Sequence, residues 1–312
     1  MSDIGIAETF GLLPARDAAL AFQRIFRGSP HVPPTQWGVS STRIFKPSIS
    51  FSTWLRRTRK DGLVPIYNFF NRVPQPKDEG YSVRVTYARD FRGGRYTYDG
   101  HLGTDFACPV GTPITSGAPG LVVRVSCELD RGGLKVCIDH GEGLFTTHNH
   151  LSRALVKVGA RVSRGDVVGL SGASGAEFVL CFPWVAPHLH YNVWLDGEAV
   201  DPFAVEGEES LWRHRNDPIV TKDADDHFTP TEWNEEGVAA SIDACLDDKT
   251  RAMLRALPTL SSRAAEALFL RSYKPTLFSS FPPLYRETFG RRPRLDLPFR
   301  AEDFRAAWLP DA

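Results

Sequence analysis

Between Tyr81 and Leu195 the chain alternates short runs of Val, Ile, Leu and aromatic residues with Gly, Asp and Ser turns. Strand signals recur at Tyr81–Tyr87, Gly120–Cys127, Leu134–Asp139, Leu144–His148, Val156–Val158, Val167–Leu170 and His188–Leu195. Parallel neighbours would need crossover connections of a dozen or more residues, usually helical, and no βαβ pattern is present. The spacing therefore predicts an antiparallel, partly closed sheet or barrel with a groove across one exposed face.

Two histidine-bearing pairs sit at the ends of this block: His101-Leu-Gly-Thr-Asp105 and His188-Leu-His190. Hydrolytic zinc takes three protein ligands, usually His with a carboxylate, and keeps a fourth position for water. His101, Asp105 and one histidine of the second pair supply such a set. In a strand, residues i and i+2 share a face about 7 Å apart. If His190 binds the metal, His188 stands on the same side near the open position, and Leu189 faces the core.

Further motifs lie in order between the pairs. They are Ala107-Cys-Pro-Val-Gly-Thr-Pro-Ile114, Ile138-Asp-His-Gly-Glu-Gly143, His150-Leu-Ser152, Val158-Gly-Ala-Arg-Val-Ser-Arg-Gly165, Pro187-His-Leu-His190 and Asp201-Pro202. In this arrangement the segment resembles the catalytic domain of the lysostaphin/LytM-type zinc metalloendopeptidases, which hydrolyse peptide bonds in bacterial peptidoglycan. The resemblance implies one Zn2+ per chain held by His101, Asp105 and His190, with His150 and His188 as catalytic histidines beside the metal-bound water. It implies a mainly β catalytic core of the LytM type, and with helical N- and C-terminal additions an α+β fold overall. The alternatives are an inactive LytM-like regulator of another hydrolase and a zinc peptidase with a non-wall protein substrate. Lipoyl-like and phosphocarrier domains share the Gly/Val pattern near Val158–Gly169. No Lys stands out at a hairpin tip, and a phosphocarrier has no use for the Asp ligand.

The chain departs from the family in three places. Ala176–Ala186 is a mostly apolar insert where family members have only a few residues, and it should lie at the groove rim. His148 replaces the usual Tyr two residues before the H-L-S histidine. Tyr96 and Tyr98 are candidates for the upstream oxyanion tyrosine, at a spacing that is not a clean match.

Four regions are expected. They are 1–80, helical and irregular; 81–204, the LytM-like domain; 205–229, an acidic connector; and 230–312, helices and an extended arm. A helix is predicted over 14–28, with Leu20, Ile25 and Phe26 along one side. Helical spacing recurs over Glu232–Leu257 and Ser261–Tyr273. The flanks could pack over the groove, with Asn68 or Asn71 reaching the metal's open position.

Lys+Arg and Asp+Glu are equal at 37 each, so no whole-chain field favours nucleic acid. The run Arg56-Arg57-Thr-Arg59-Lys60 reads as a solvated turn. No stretch approaches the ~20 apolar residues of a membrane span. The N-terminus shows no secretory signal, so the chain is expected in the cytoplasm as synthesised. A periplasmic or cell-wall working site then requires an export route that these residues do not display. Five cysteines lack a disulfide-framework spacing and read as reduced core residues, with Cys127 and Cys137 on neighbouring strands. The partner implied is a peptidoglycan peptide. The bond cut and the oligomeric state are not written in the sequence.

Overall fold

The computed structural model describes residues 4–11, 15–221 and 227–310. Its helices are α1 (Ile6–Phe10), α2 (Ala15–Arg27), α3 (Pro47–Trp54), α4 (Ala176–Leu180), α5 (Glu235–Asp243), α6 (Asp248–Ala256) and α7 (Leu260–Tyr273). The strands are β1 (Leu63–Asn68), β2 (Thr104–Ala107), β3 (Pro113–Thr115), β4 (Gly120–Glu128), β5 (Gly133–Asp139), β6 (Leu144–Ala154), β7 (Arg161–Val162), β8 (Val167–Ser171), β9 (His188–Leu195), β10 (Glu198–Val200) and β11 (Ala306–Trp308).

The expected α+β architecture is observed, with two corrections to the sheet. It runs β11-β1-β2-β9-β6-β5-β4-β7 as an open path, with β8 joining β6 to β3, and does not close into a barrel. It is mixed, because β1 pairs with β11 in parallel while the other pairs are antiparallel.

The expected strand at Tyr81–Tyr87 does not form, although Ser82 makes a single bridge to Gln36. The place beside β2 is taken by β1, whose Val64 and Ile66 are fully buried. Alternation at Tyr81–Tyr87 was a true periodicity without a free sheet edge to join. Val156–Val158 is likewise not a strand, and pairing resumes at β7.

The α2 helix forms, but Ala21 and Ile25 are its buried residues, while Leu20 and Phe26 are 42% and 54% exposed. Pro14 lies outside the described residues, as do Asp223, Asp225 and Asp226 of the acidic stretch. The helical signal over Glu232–Leu257 divides into α5 and α6, where Asp247 caps α6 by accepting from Thr250 N.

One core cluster unites Val64, Ile66 and Phe69 with Phe106, Leu189, Trp212, Leu297, Phe299 and Phe304, so residues from both flanks share the sheet's core. A second cluster lies between α5–α7 and the opposite side of β4–β6 and β9, around Phe145, Trp194 and Leu268. All five cysteines are free, and Cys127 faces Leu134 across the β4–β5 pair while Cys137 faces Arg124. In the basic run, Arg59 pairs with Asp61 and stacks on Trp308.

Candidate active site

Strand register assembles the site. Asn68 on β1 stands opposite Asp105 on β2, Asp105 opposite His190 on β9, and His190 opposite Asn149 on β6. Four adjacent strands thus contribute one rung. His188, two residues before His190, shares its face, while Leu189 is fully buried in the core as the alternation requires.

His150 breaks that alternation. By parity it should follow His148 to the opposite side, and His148 does turn away to pack edge-on against Tyr191. At φ 61° the His150 backbone is left-handed, a costly state for a residue with a Cβ. The turn swings its ring to 4.8 Å from His188 and 5.7 Å from His190, measured between centroids. Its N–H donates to Gly132 O at 2.9 Å, which anchors the kink on the β4–β5 turn.

A carbonyl can only accept, so carbonyl contacts assign the ring protons. His101 Nδ1 donates to Phe69 O (2.5 Å), His150 Nδ1 to Ser174 O (2.7 Å) and His188 Nδ1 to Ala186 O (2.7 Å). Each of these rings is left with a bare Nε2. His190 is turned the other way, with Nδ1 inward and Nε2 3.2 Å from Tyr273 Oη.

His101 Nε2, His190 Nδ1 and Asp105 Oδ1 converge, at 3.1 Å between the nitrogens and at 3.0 and 2.6 Å from each to the carboxylate. Lone pairs that close repel unless a proton or a cation lies among them, so this donor set fits a metal ion. His150, His188 and His190 form a second convergent set of potential ligands.

Burial opposes ionisation of Asp105, but the surrounding imidazoles His101, His188 and His190 outweigh it and hold the carboxyl well below its ordinary range. Burial lowers His190 to about 4 against the pull of Asp105, and lowers His188 and His150 as well. The rings are therefore neutral at pH 7, as ligands and proton acceptors must be.

Residues outside the histidine motifs complete the surroundings. Asn68 donates to Asp105 Oδ2 at 2.8 Å and accepts from Lys46 Nζ at 2.7 Å, and burial brings Lys46 down to about 7. Asn71 points elsewhere, bonding Asp99 O and Val73 O. Tyr98 lies against His101, 4.6 Å between centroids, with its hydroxyl on Tyr81, while Tyr96 packs on Phe69. Tyr273, the last residue of α7, donates to Asn192 Oδ1 at 2.8 Å beside its contact to His190.

Glu177 comes from the insert. Its Oε1 lies 3.1 Å from His150 Nε2, and burial raises its carboxyl to about 7. The insert opens as α4, then lies along α3, with Trp54 Nε1 donating to Val185 O at 2.9 Å. Around the cluster is a cavity of about 100 Å³ whose wall includes Ile25, Trp37, Ile44 and Tyr67 from the first 80 residues.

Lys46, Glu177 and Tyr273 escaped the sequence reading. Lys46 and Tyr273 lie in flanks without motif character. Glu177 had a local cue, as the one acidic side chain of the insert Ala176–Ala186.

Residues 99–202 match peptidase family M23. A Vibrio cholerae peptidoglycan DD-endopeptidase, ShyA, is 42% identical over 101 residues, 32% of this chain and 22% of that protein. An uncharacterized metalloprotease of Buchnera aphidicola is 36% identical over 111 residues, 36% of this chain and 27% of that protein. The chain thus spans about a quarter of the length of these curated relatives. The catalytic domain of lysostaphin from Staphylococcus simulans aligns with a TM-score of 0.31 at 25% identity, covering 43% of this chain and 85% of that one. The match to peptidase family M23 over residues 99–202 takes in His101, Asp105, His150, His188 and His190.

Proposed function

We propose that this chain is a zinc-dependent endopeptidase that hydrolyses peptide bonds in bacterial peptidoglycan. The observation that carries the reading is the convergence of His101 Nε2, Asp105 Oδ1 and His190 Nδ1, with bare Nε2 atoms of His150 and His188 on the same side. His101, Asp105 and His190 would hold one zinc ion. When bound, it polarises the scissile carbonyl and acidifies a water.

The remaining chemistry belongs to the side chains. His150 and His188, fixed through Nδ1 to backbone carbonyls, each present Nε2 to take a proton and return it to the leaving amine. Glu177, whose carboxyl burial raises to about 7, donates to His150 Nε2 when protonated and releases it when substrate displaces it. Asn68 holds the Asp105 carboxylate, and Tyr273 holds the outward face of His190. The catalytic domain is taken as 81–204, and the flanks supply one wall of the cavity. The chain's place of action is taken as periplasm or wall, where that substrate lies.

Metal analysis of the purified protein, followed by digestion of purified sacculi and mass spectrometry of the released peptides, tests this reading. One zinc per chain and a defined cut bond support it. Zinc-loaded protein that releases no peptide from sacculi, but cuts another protein, reassigns the substrate. Protein that binds zinc and cuts nothing is a regulator.

A further inference from the structure

Arg131 occupies the turn between β4 and β5 and is 8% exposed. Its Nη1 donates to the Asp130 carbonyl at 2.7 Å, and its Cζ lies 5.0 Å from the centre of the Tyr81 ring. Its Nε is buried without a hydrogen-bond partner. Among the described residues no carboxylate forms an ion pair with it. The acidic groups nearby are committed elsewhere: Asp130 to Lys274 at 3.2 Å, Glu128 to Lys135 at 2.6 Å and Glu177 to His150 at 3.1 Å. A guanidinium cannot shed its proton, so an unpaired one held out of water is a standing cost.

That guanidinium lines the same cavity as His150, His188, His190 and Glu177. The turn that carries it is tied to the catalytic residues by backbone. His150 N donates to Gly132 O at 2.9 Å, and Ala176 N, beside Glu177, donates to Leu129 O at 2.8 Å. Lys135 Nζ donates to the carbonyl of Arg131 itself. Gly132 and Gly133 hold left-handed φ values of 69° and 58°, and a Cβ at Gly133 would fall 2.1 Å from Ser174 O. The turn therefore has little freedom, and Arg131 is presented from a fixed point next to His150.

We propose that Arg131 is a substrate-binding residue that takes a free carboxylate close to the scissile amide. The planar fork of a guanidinium matches a carboxylate bidentately, and Arg131 lines the cavity with no ion-pair partner of its own among the described residues. The carboxylate would lie in the cavity that His150, His188 and His190 also line. The substrate class is then a peptide whose scissile bond neighbours a free acid, at a chain end or a side-chain cross-link. A run of uncharged internal peptide units is disfavoured, because it leaves the guanidinium unpaired. The proposal rests on the peptidase reading above.

The test uses the full-length, zinc-loaded protein and two probes: a peptidoglycan stem peptide ending in a free carboxylate, and the same peptide ending in a carboxamide. Wild type should prefer the acid by about 10- to 100-fold in kcat/KM, the range of a charged hydrogen-bonded pair. Arg131→Gln should retain zinc and lower the acid far more than the amide, so that the preference for the acid disappears. Arg131→Lys should recover part of the preference, keeping the charge without the fork. Equal rates on both probes in wild type, or equal losses on both in Arg131→Gln, would overturn the proposal.

If wild type cuts neither peptide, the sacculus digestion decides the wall-peptidase reading separately, and the carboxylate site is judged by melting temperature. A rise with the acid alone, lost in Arg131→Gln, sustains the site. No difference between acid and amide removes it.

Discussion

Asp105 lies directly across the β2–β9 pair from His190, with its Oδ1 2.6 Å from His190 Nδ1. The contact is a product of register: a slip of one residue would send one of the two side chains to the core face. The same register places Asn68 on the other side of Asp105, so the carboxylate is gripped from both neighbouring strands.

His190→Ala should abolish stoichiometric zinc, because it leaves only His101 and Asp105 of the proposed donor set. The measurement is metal content after dialysis against buffer. Full occupancy in the variant would show that the metal sits elsewhere.

His150→Ala and His188→Ala should retain zinc and lose most hydrolysis, by about 10²–10⁴-fold for a general acid–base group. Metal content and peptide release are measured on the same preparations. Loss of zinc in either variant would instead point to the second convergent set, His150, His188 and His190, as the metal site.

Asn68→Ala and Tyr273→Phe remove hydrogen bonds to Asp105 and to His190 Nε2 without touching a proposed ligand atom. Zinc affinity should fall by about 10- to 100-fold in each, read by competition with a chelator. Unchanged affinity in Tyr273→Phe would mean that the ring keeps its orientation without that hydrogen bond.

His148 is fully buried with neither ring nitrogen well bonded, the backbone of Val136 and Thr115 lying near, and burial lowers it from 6.5 to about 4. The unfolded chain takes up a proton as pH falls through 6.5, whereas the folded chain does not until about 4. Stability from this group is therefore complete above 6.5 and lost as pH falls towards 4. Between pH 7 and 5 the loss is about 2 kcal/mol, at ~1.4 kcal/mol per unit. His148→Phe should keep or raise the urea midpoint at pH 7 and reduce the drop at pH 5 by about that amount. An unchanged drop would show that His148 is solvated or protonated in the native state. His140, lowered by burial to about 3, supplies a similar slope that remains in the variant.

Much of the centre was legible in the sequence because it is local. An i, i+2 spacing in a strand puts His188 and His190 on one face, and the turn motifs mark β3 to β9 with errors of a few residues. Those signals named His101, Asp105, His188 and His190, and the family resemblance added His150. The kink at His150 was not legible, because alternation alone sends it to the side where His148 lies, and the left-handed turn is held by tertiary bonds to Gly132 O and Ser174 O. Nor was the replacement of the Tyr81–Tyr87 strand by β1, since a sheet edge accepts one partner and two segments compete for it. Lys46, Arg131 and Tyr273 meet the site from segments far apart in the chain, and Glu177 meets it through the fold of the insert. Local periodicity decided which face each strand buries, while long-range packing decided which charges stand in the cavity, because a buried ion's position depends on every element that excludes water from it.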